Sequence, residues 1–168
     1  MAILDGGLGK WIAEQRPVES GWPAPPAGHF TARRGGMAVA DKQQMLDNLS
    51  SRAAQVVDAR SISRFTGDDP EPRPGMASGH IPGAVCLPYA SLFAHDGTWH
   101  DREELRRRFI AAGVDLDRPV ITTCGSGVTA ADLLFALHLL GKQDVTLYDG
   151  SWSEWGADPA TPKATGHA

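Results

Sequence analysis

Short apolar runs alternate with longer mixed segments along most of this chain. Ala54-Gln55-Val56-Val57-Asp58, residues 84–87, Pro119-Val120-Ile121-Thr122-Thr123 and Asp144-Val145-Thr146-Leu147-Tyr148 are brief, apolar and mostly β-branched, the mark of buried strands. Met37-Ala38-Val39-Ala40 predicts one more short strand. Helical patterns lie between them. Asp41-Lys42-Gln43-Gln44 has the shape of a capping box and opens a helix through Leu49. Residues 103–112 place Leu105 and Phe109 on one face and charges on the other. Residues 130–140 are apolar apart from Asp132 and His138, as in a buried helix. Strands alternating with helices predict an α/β fold, a central parallel five-stranded sheet with helices on both faces, hence three layers. In such sheets, sites form beyond the carboxyl ends of strands.

One residue with chemistry stands at such an end. Cys124 follows the strand at 119–123 and precedes the helix at 130, with Gly125 and Gly127 in the turn between them. Glycines let successive N–H groups curl inward, and the helix behind adds its positive end. That arrangement favours an anion and suits a nucleophilic thiolate. A thiolate phosphatase would need an arginine closing the loop, and Ala130 stands there instead. A cysteine can also be a small buried hydrophobe, which is the reading for Cys86 within Ala84-Val85-Cys86-Leu87-Pro88.

Composition narrows the remaining classes. A chain of 168 residues has room for one full domain and some extra chain. The net charge of −4 offers no basis for a nucleic-acid or anionic-membrane partner. Arg106-Arg107-Arg108 lies on the polar face of its predicted helix, where solvation explains it. The two cysteines and six histidines show no metal-ligand spacing, so no metal is expected. Residues 1–4 are followed at once by Asp5 and two glycines, unlike a secretory leader, and no apolar stretch approaches the roughly 20 residues of a membrane span. A reducing cytoplasm, which would keep Cys124 a thiol, is the expected compartment.

The loop Cys124-Gly125-Ser126-Gly127-Val128-Thr129 resembles the active-site loop of 3-mercaptopyruvate sulfurtransferases, two-domain members of the rhodanese family. Arg64-Phe65-Thr66-Gly67 with Pro70-Glu71-Pro72-Arg73 resembles the segment whose two arginines bind the substrate's α-keto acid end in that family. A guanidinium fork suits a carboxylate because paired N–H donors match its two oxygens. Gly79-His80-Ile81-Pro82-Gly83-Ala84 and Asp149-Gly150-Ser151-Trp152 resemble family signatures, with His80 read as framework and Trp152 as a residue approaching the site. Arg60 is expected to pair with a buried Asp58, in a segment read as one long loop between the strands at 54–58 and 84–87.

Asp5-Gly6 before Trp11 and Asp149-Gly150 before Trp155 repeat one spacing, the trace of an internal duplication. Residues 1–16 are therefore expected to close a preceding rhodanese repeat, 17–29 to form a Pro-rich linker with Pro17, Pro23, Pro25 and Pro26, 30–160 to be the catalytic domain, and 161–168 a tail.

The resemblance implies sulfur transfer from 3-mercaptopyruvate through a Cys124 persulfide to a thiol acceptor such as thioredoxin, or to cyanide, with release of pyruvate. The reaction it implies requires no organic cofactor. Cys124 and Ser126 would be catalytic; Arg64, Arg73, Gly125, Gly127, Val128 and Thr129 would bind substrate. Rhodaneses that prefer thiosulfate usually carry basic residues in the loop, and Gly125 and Ser126 are neutral. Two further readings stay open at this point: a thiosulfate sulfurtransferase, and a catalytically silent rhodanese-like module that binds a partner. The oligomeric state is not legible in the letters.

Overall fold

The computed structural model describes residues 2–22, 24, 26–31 and 38–167. Met37, the first residue of the strand predicted at 37–40, and Pro23 and Pro25 of the predicted linker lie outside them. Five strands, β1 (Ala38–Ala40), β2 (Gln55–Asp58), β3 (Val85–Cys86), β4 (Val120–Thr123) and β5 (Val145–Tyr148), form one sheet in the order β1-β5-β4-β2-β3. Every pairing is parallel. All four residues of β4 are buried, as befits a central strand covered on both faces, and this is why its sequence shows no polar alternation.

Two apolar clusters divide the core between the faces. Val57 and Val120 pack with Leu105, Phe109, Leu133 and Leu137, which come from α4 (Arg102–Ala111) and α5 (Ala130–Leu139). Their strand neighbours Val56 and Ile121 turn the opposite way. They meet Met45 of α2 (Lys42–Ser51), Phe65 of α3 (Ile62–Thr66), and Trp152 and Trp155 of α6 (Ser151–Trp155).

Helix starts follow the local chemistry. The Asp41 carboxylate accepts from Gln44 N at 2.8 Å while Gln44 Oε1 accepts from Asp41 N at 2.9 Å, closing the capping box that opens α2. Asp101 caps α4 by accepting from Glu104 N at 2.9 Å. On that helix Arg107 pairs with Glu104 at 2.6 Å on the solvent side.

The segment read from sequence as a continuous loop contains α3. Ser61 Oγ accepts from Arg64 N at 3.4 Å to start it, and Gly67 at φ 88° ends it. A helix of five residues is too short to reveal itself through hydrophobic periodicity. Near the N-terminus, α1 (Gly7–Ala13) lies on the same sheet-bearing unit through polar ties. Trp99 N donates to Asp5 Oδ1 at 2.9 Å, and Lys10 Nζ meets Asp96 at 2.8 Å.

Candidate active site

Thr123, the last residue of β4, pairs with Asp58, the last residue of β2, and Ala59 N donates to Thr123 O at 2.9 Å. The chain leaving β2 therefore starts beside Cys124. The cysteine loop is sewn to the turn that opens α6. Cys124 N donates to Ser151 Oγ at 3.1 Å, and that hydroxyl donates to Tyr148 O at 2.8 Å. Trp152 N donates to Cys124 O at 2.9 Å, while Ser153 N and Oγ donate to Gly125 O at 2.9 and 2.6 Å. Ser151 sits at φ 50°, a left-handed conformation uncommon for a residue with a side chain, and these bonds hold it there.

Within the loop Gly127 N donates to Cys124 Sγ at 3.1 Å. An N–H aimed at sulfur sets a fixed donor against the nucleophilic atom. Gly127 takes φ 85°, and a Cβ there would lie 2.7 Å from Asp149 Oδ1 and 2.8 Å from Asp149 O. Both the dihedral and the space demand glycine.

Cys124 is 2% exposed and opens onto a cavity of about 200 Å³. Gly125, Ser126, Val128 and Thr129 line it from the loop, and Arg64 and Arg73 from the segment after β2. Gly127 stands behind this wall and reaches the sulfur through its amide. Ser126 and Thr129 line the cavity, and their hydroxyls make no hydrogen bond to a described residue.

A buried chain of charges sets the arginines. Arg60 Nη2 meets Asp58 at 2.7 Å and Arg60 Nη1 meets Glu71 at 2.7 Å, with all three side chains 1% exposed. The guanidinium also lies 4.5 Å from the Trp152 ring centre. Burial works against the Arg60 charge, but the Asp58 and Glu71 carboxylates outweigh it and raise its pKa. Glu71 then takes a second arginine: Arg64 Nη2 at 2.6 Å. Arg64, with its side chain 28% exposed, extends over Gly125, where an added Cβ would come within 3.0 Å of Nη2. Arg73 is held differently, donating from Nη1 to Ser153 Oγ at 3.1 Å, and no carboxylate among the described residues pairs with it. Two guanidiniums and one carboxylate leave the cavity wall with one net positive charge.

Other candidates fall outside the cavity. His80 is buried, stacked on Phe65 at 3.8 Å, and donates from Nδ1 to Phe65 O at 2.8 Å. Trp152 backs the loop through its main chain rather than entering the cavity, and its Nε1 donates to Ala77 O at 2.8 Å. Burial pushes the Cys86 thiol up to about 12, leaving it neutral. Among the described residues no group of three or more His, Cys, Asp or Glu side chains is disposed to hold a metal ion. Sequence reasoning passed over the structural parts of Ser151 and Ser153: Ser151 bonds to Cys124, and Ser153 to Gly125 and Arg73, all distant along the chain, so spacing carries no signal for either.

Fold and site together define a parallel α/β domain that sets a thiol at the end of a central strand, beneath two guanidinium groups. The chain belongs to the rhodanese family: the Rhodanese-like domain model matches residues 41–158. It is 42% identical to human 3-mercaptopyruvate sulfurtransferase over 155 residues, 92% of this chain and 52% of that protein. It is also 42% identical to thiosulfate sulfurtransferase of Bos taurus over 156 residues, again 92% and 52%. The crystal structure of SseA from Escherichia coli, whose description concerns 3-mercaptopyruvate sulfotransferases, superposes with a TM-score of 0.76 at 40% identity, covering 91% of this chain and 56% of that one. The chain thus spans about half the length of the curated relatives it matches.

Proposed function

We propose that the chain transfers sulfur from 3-mercaptopyruvate to a thiol acceptor. The Cys124 thiolate attacks the donor's thiol sulfur and the carbon–sulfur bond breaks. The bonding pair passes to the pyruvate enolate carbon, which takes the thiol proton and leaves as pyruvate. Cys124 then carries a persulfide. An acceptor thiolate, such as that of thioredoxin, or cyanide attacks the outer sulfur and returns Cys124 as thiolate. Ser126, which lines the cavity, is assigned to the proton's path, and Arg64 and Arg73 to the carboxylate and ketone. Gly125, Gly127, Val128 and Thr129 shape the space around the sulfur. Among the described residues no helix is long and apolar enough to cross a membrane, and a reducing cytoplasm is the setting assigned to the reaction.

The observation that carries this reading is Cys124 at the cavity floor, with an amide on its sulfur and Arg64 and Arg73 above it. Overall identity does not choose the donor, because the human and bovine relatives match equally at 42%. Charge supports a choice. Glu71 offsets Arg64 and the loop residues are neutral, which suits a monoanion such as mercaptopyruvate better than dianionic thiosulfate.

Arg64→Ala and Arg73→Ala test the donor. Each should raise KM for mercaptopyruvate about tenfold to a hundredfold, the equivalent of the roughly 1.5–3 kcal/mol of a hydrogen bond to a charged group, with a smaller effect on thiosulfate. Equal losses with both donors would remove mercaptopyruvate as the assigned substrate.

A further inference from the structure

A cavity of about 790 Å³ lies away from Cys124, between residues 3–7 and the outer face of α5 with β5. None of the residues lining the sulfur-transfer cavity lines it. Its size falls within the roughly 300–1,000 Å³ of small-molecule sites. Three rings cluster on its wall: the Trp99 centroid lies 4.4 Å from Phe93 and 5.3 Å from Phe135, tilted at 47° and 56°. Leu134, Val145 and Leu147 add aliphatic wall.

The charges on this wall are unequal in their commitments. The Lys142 ammonium is occupied, donating to Leu116 O at 2.8 Å and meeting Asp144 at 2.9 Å. His138 is exposed in the last turn of α5. Asp132 is half-buried in the first turn, lines the cavity, and makes no hydrogen bond or ion pair with a described residue. Burial raises its pKa with nothing to oppose the shift. A carboxylate left without a cation beside aromatic faces is the complement of one kind of ligand. Ring faces attract a cation electrostatically, and the carboxylate adds its full charge.

We propose that this cavity binds a small organic cation, an ammonium group carried on an aromatic or aliphatic body, with Asp132 meeting the charge and Trp99 and Phe135 facing the apolar part. Residues 3–7 form the second wall. They are anchored by Asp5 to Trp99 N rather than by burial, since Ile3 and Leu4 stay 65% and 55% exposed. An apolar ligand body would cover both.

Calorimetric titration of the full chain with benzyltrimethylammonium, benzyl alcohol and phenylacetate separates charge from shape. The ammonium probe should bind at least about tenfold more tightly than the alcohol, with phenylacetate weakest. In Asp132→Asn, checked for native circular dichroism, the ammonium preference should disappear while the weak binding of the alcohol stays. The Trp99 indole N–H resonance should shift with the ammonium probe in the parent chain. Equal affinity for all three probes, an unchanged ammonium affinity in Asp132→Asn, or a dimer in sedimentation that excludes the probe would each overturn the assignment. None of these readouts involves sulfur transfer, so they stand apart from the reading of Cys124.

Discussion

Gly127 shows how narrowly a single position is defined around the sulfur. Its amide is the donor to Cys124 Sγ, its φ of 85° is left-handed, and Asp149 closes the space where a side chain would go. Gly127→Ala should lower stability by about 1–3 kcal/mol, read as a shifted urea midpoint, because a left-handed alanine costs roughly 1–2 kcal/mol before any overlap is counted. Sulfur transfer should fall further than the stability loss explains, since the amide moves with the backbone. Ser153 invites a gentler test. It accepts from Arg73 and donates to Gly125 O, so Ser153→Ala should raise KM for mercaptopyruvate about tenfold with kcat little changed. An unchanged KM would show that Arg73 needs no such support. At this scale the letters carried Cys124, the glycine turn and both arginines, because each belongs to a contiguous pattern. Glu71 was not legible as a hinge between Arg60 and Arg64, since its burial is created by side chains that fold over it.

Elements place these residues, and α3 does so for Arg64. Its Phe65 is pinned by the buried His80, which stacks on the ring and donates to the Phe65 carbonyl. Burial lowers the His80 pKa below its ordinary value of 6.5. The unfolded chain therefore binds the proton more readily. His80 contributes stability fully above about pH 6.5, and the contribution is lost as pH falls through the depressed folded value. Urea midpoints should decline between about pH 7.5 and 5, and His80→Gln should be less stable at the upper end with a flatter decline. An equally steep decline in the variant would assign the titration to other groups. Strands and longer helices were legible because burial on both faces leaves continuous apolar runs, and because Asp41 and Gln44 announce a helix start. Helix α3 was hidden by its length, although Ser61 and Gly67 marked its ends.

Across the whole molecule, one arrangement gathers the chemistry. β2 and β4 are adjacent at the centre of the sheet, so the loops leaving their carboxyl ends meet, one bringing arginines and the other the thiol. Crossovers through helices on both faces supply the two apolar clusters that hold those ends in place. The chain carries a net charge of −4, so the positive charge of Arg64 and Arg73 is local to the cavity rather than a property of the whole surface. Mass spectrometry of the protein after treatment with 3-mercaptopyruvate tests the persulfide itself. One added sulfur on the peptide containing Cys124, absent in Cys124→Ser and removed by a dithiol, is the expected result. An unmodified Cys124 peptide, or turnover that survives in Cys124→Ser, would contradict it.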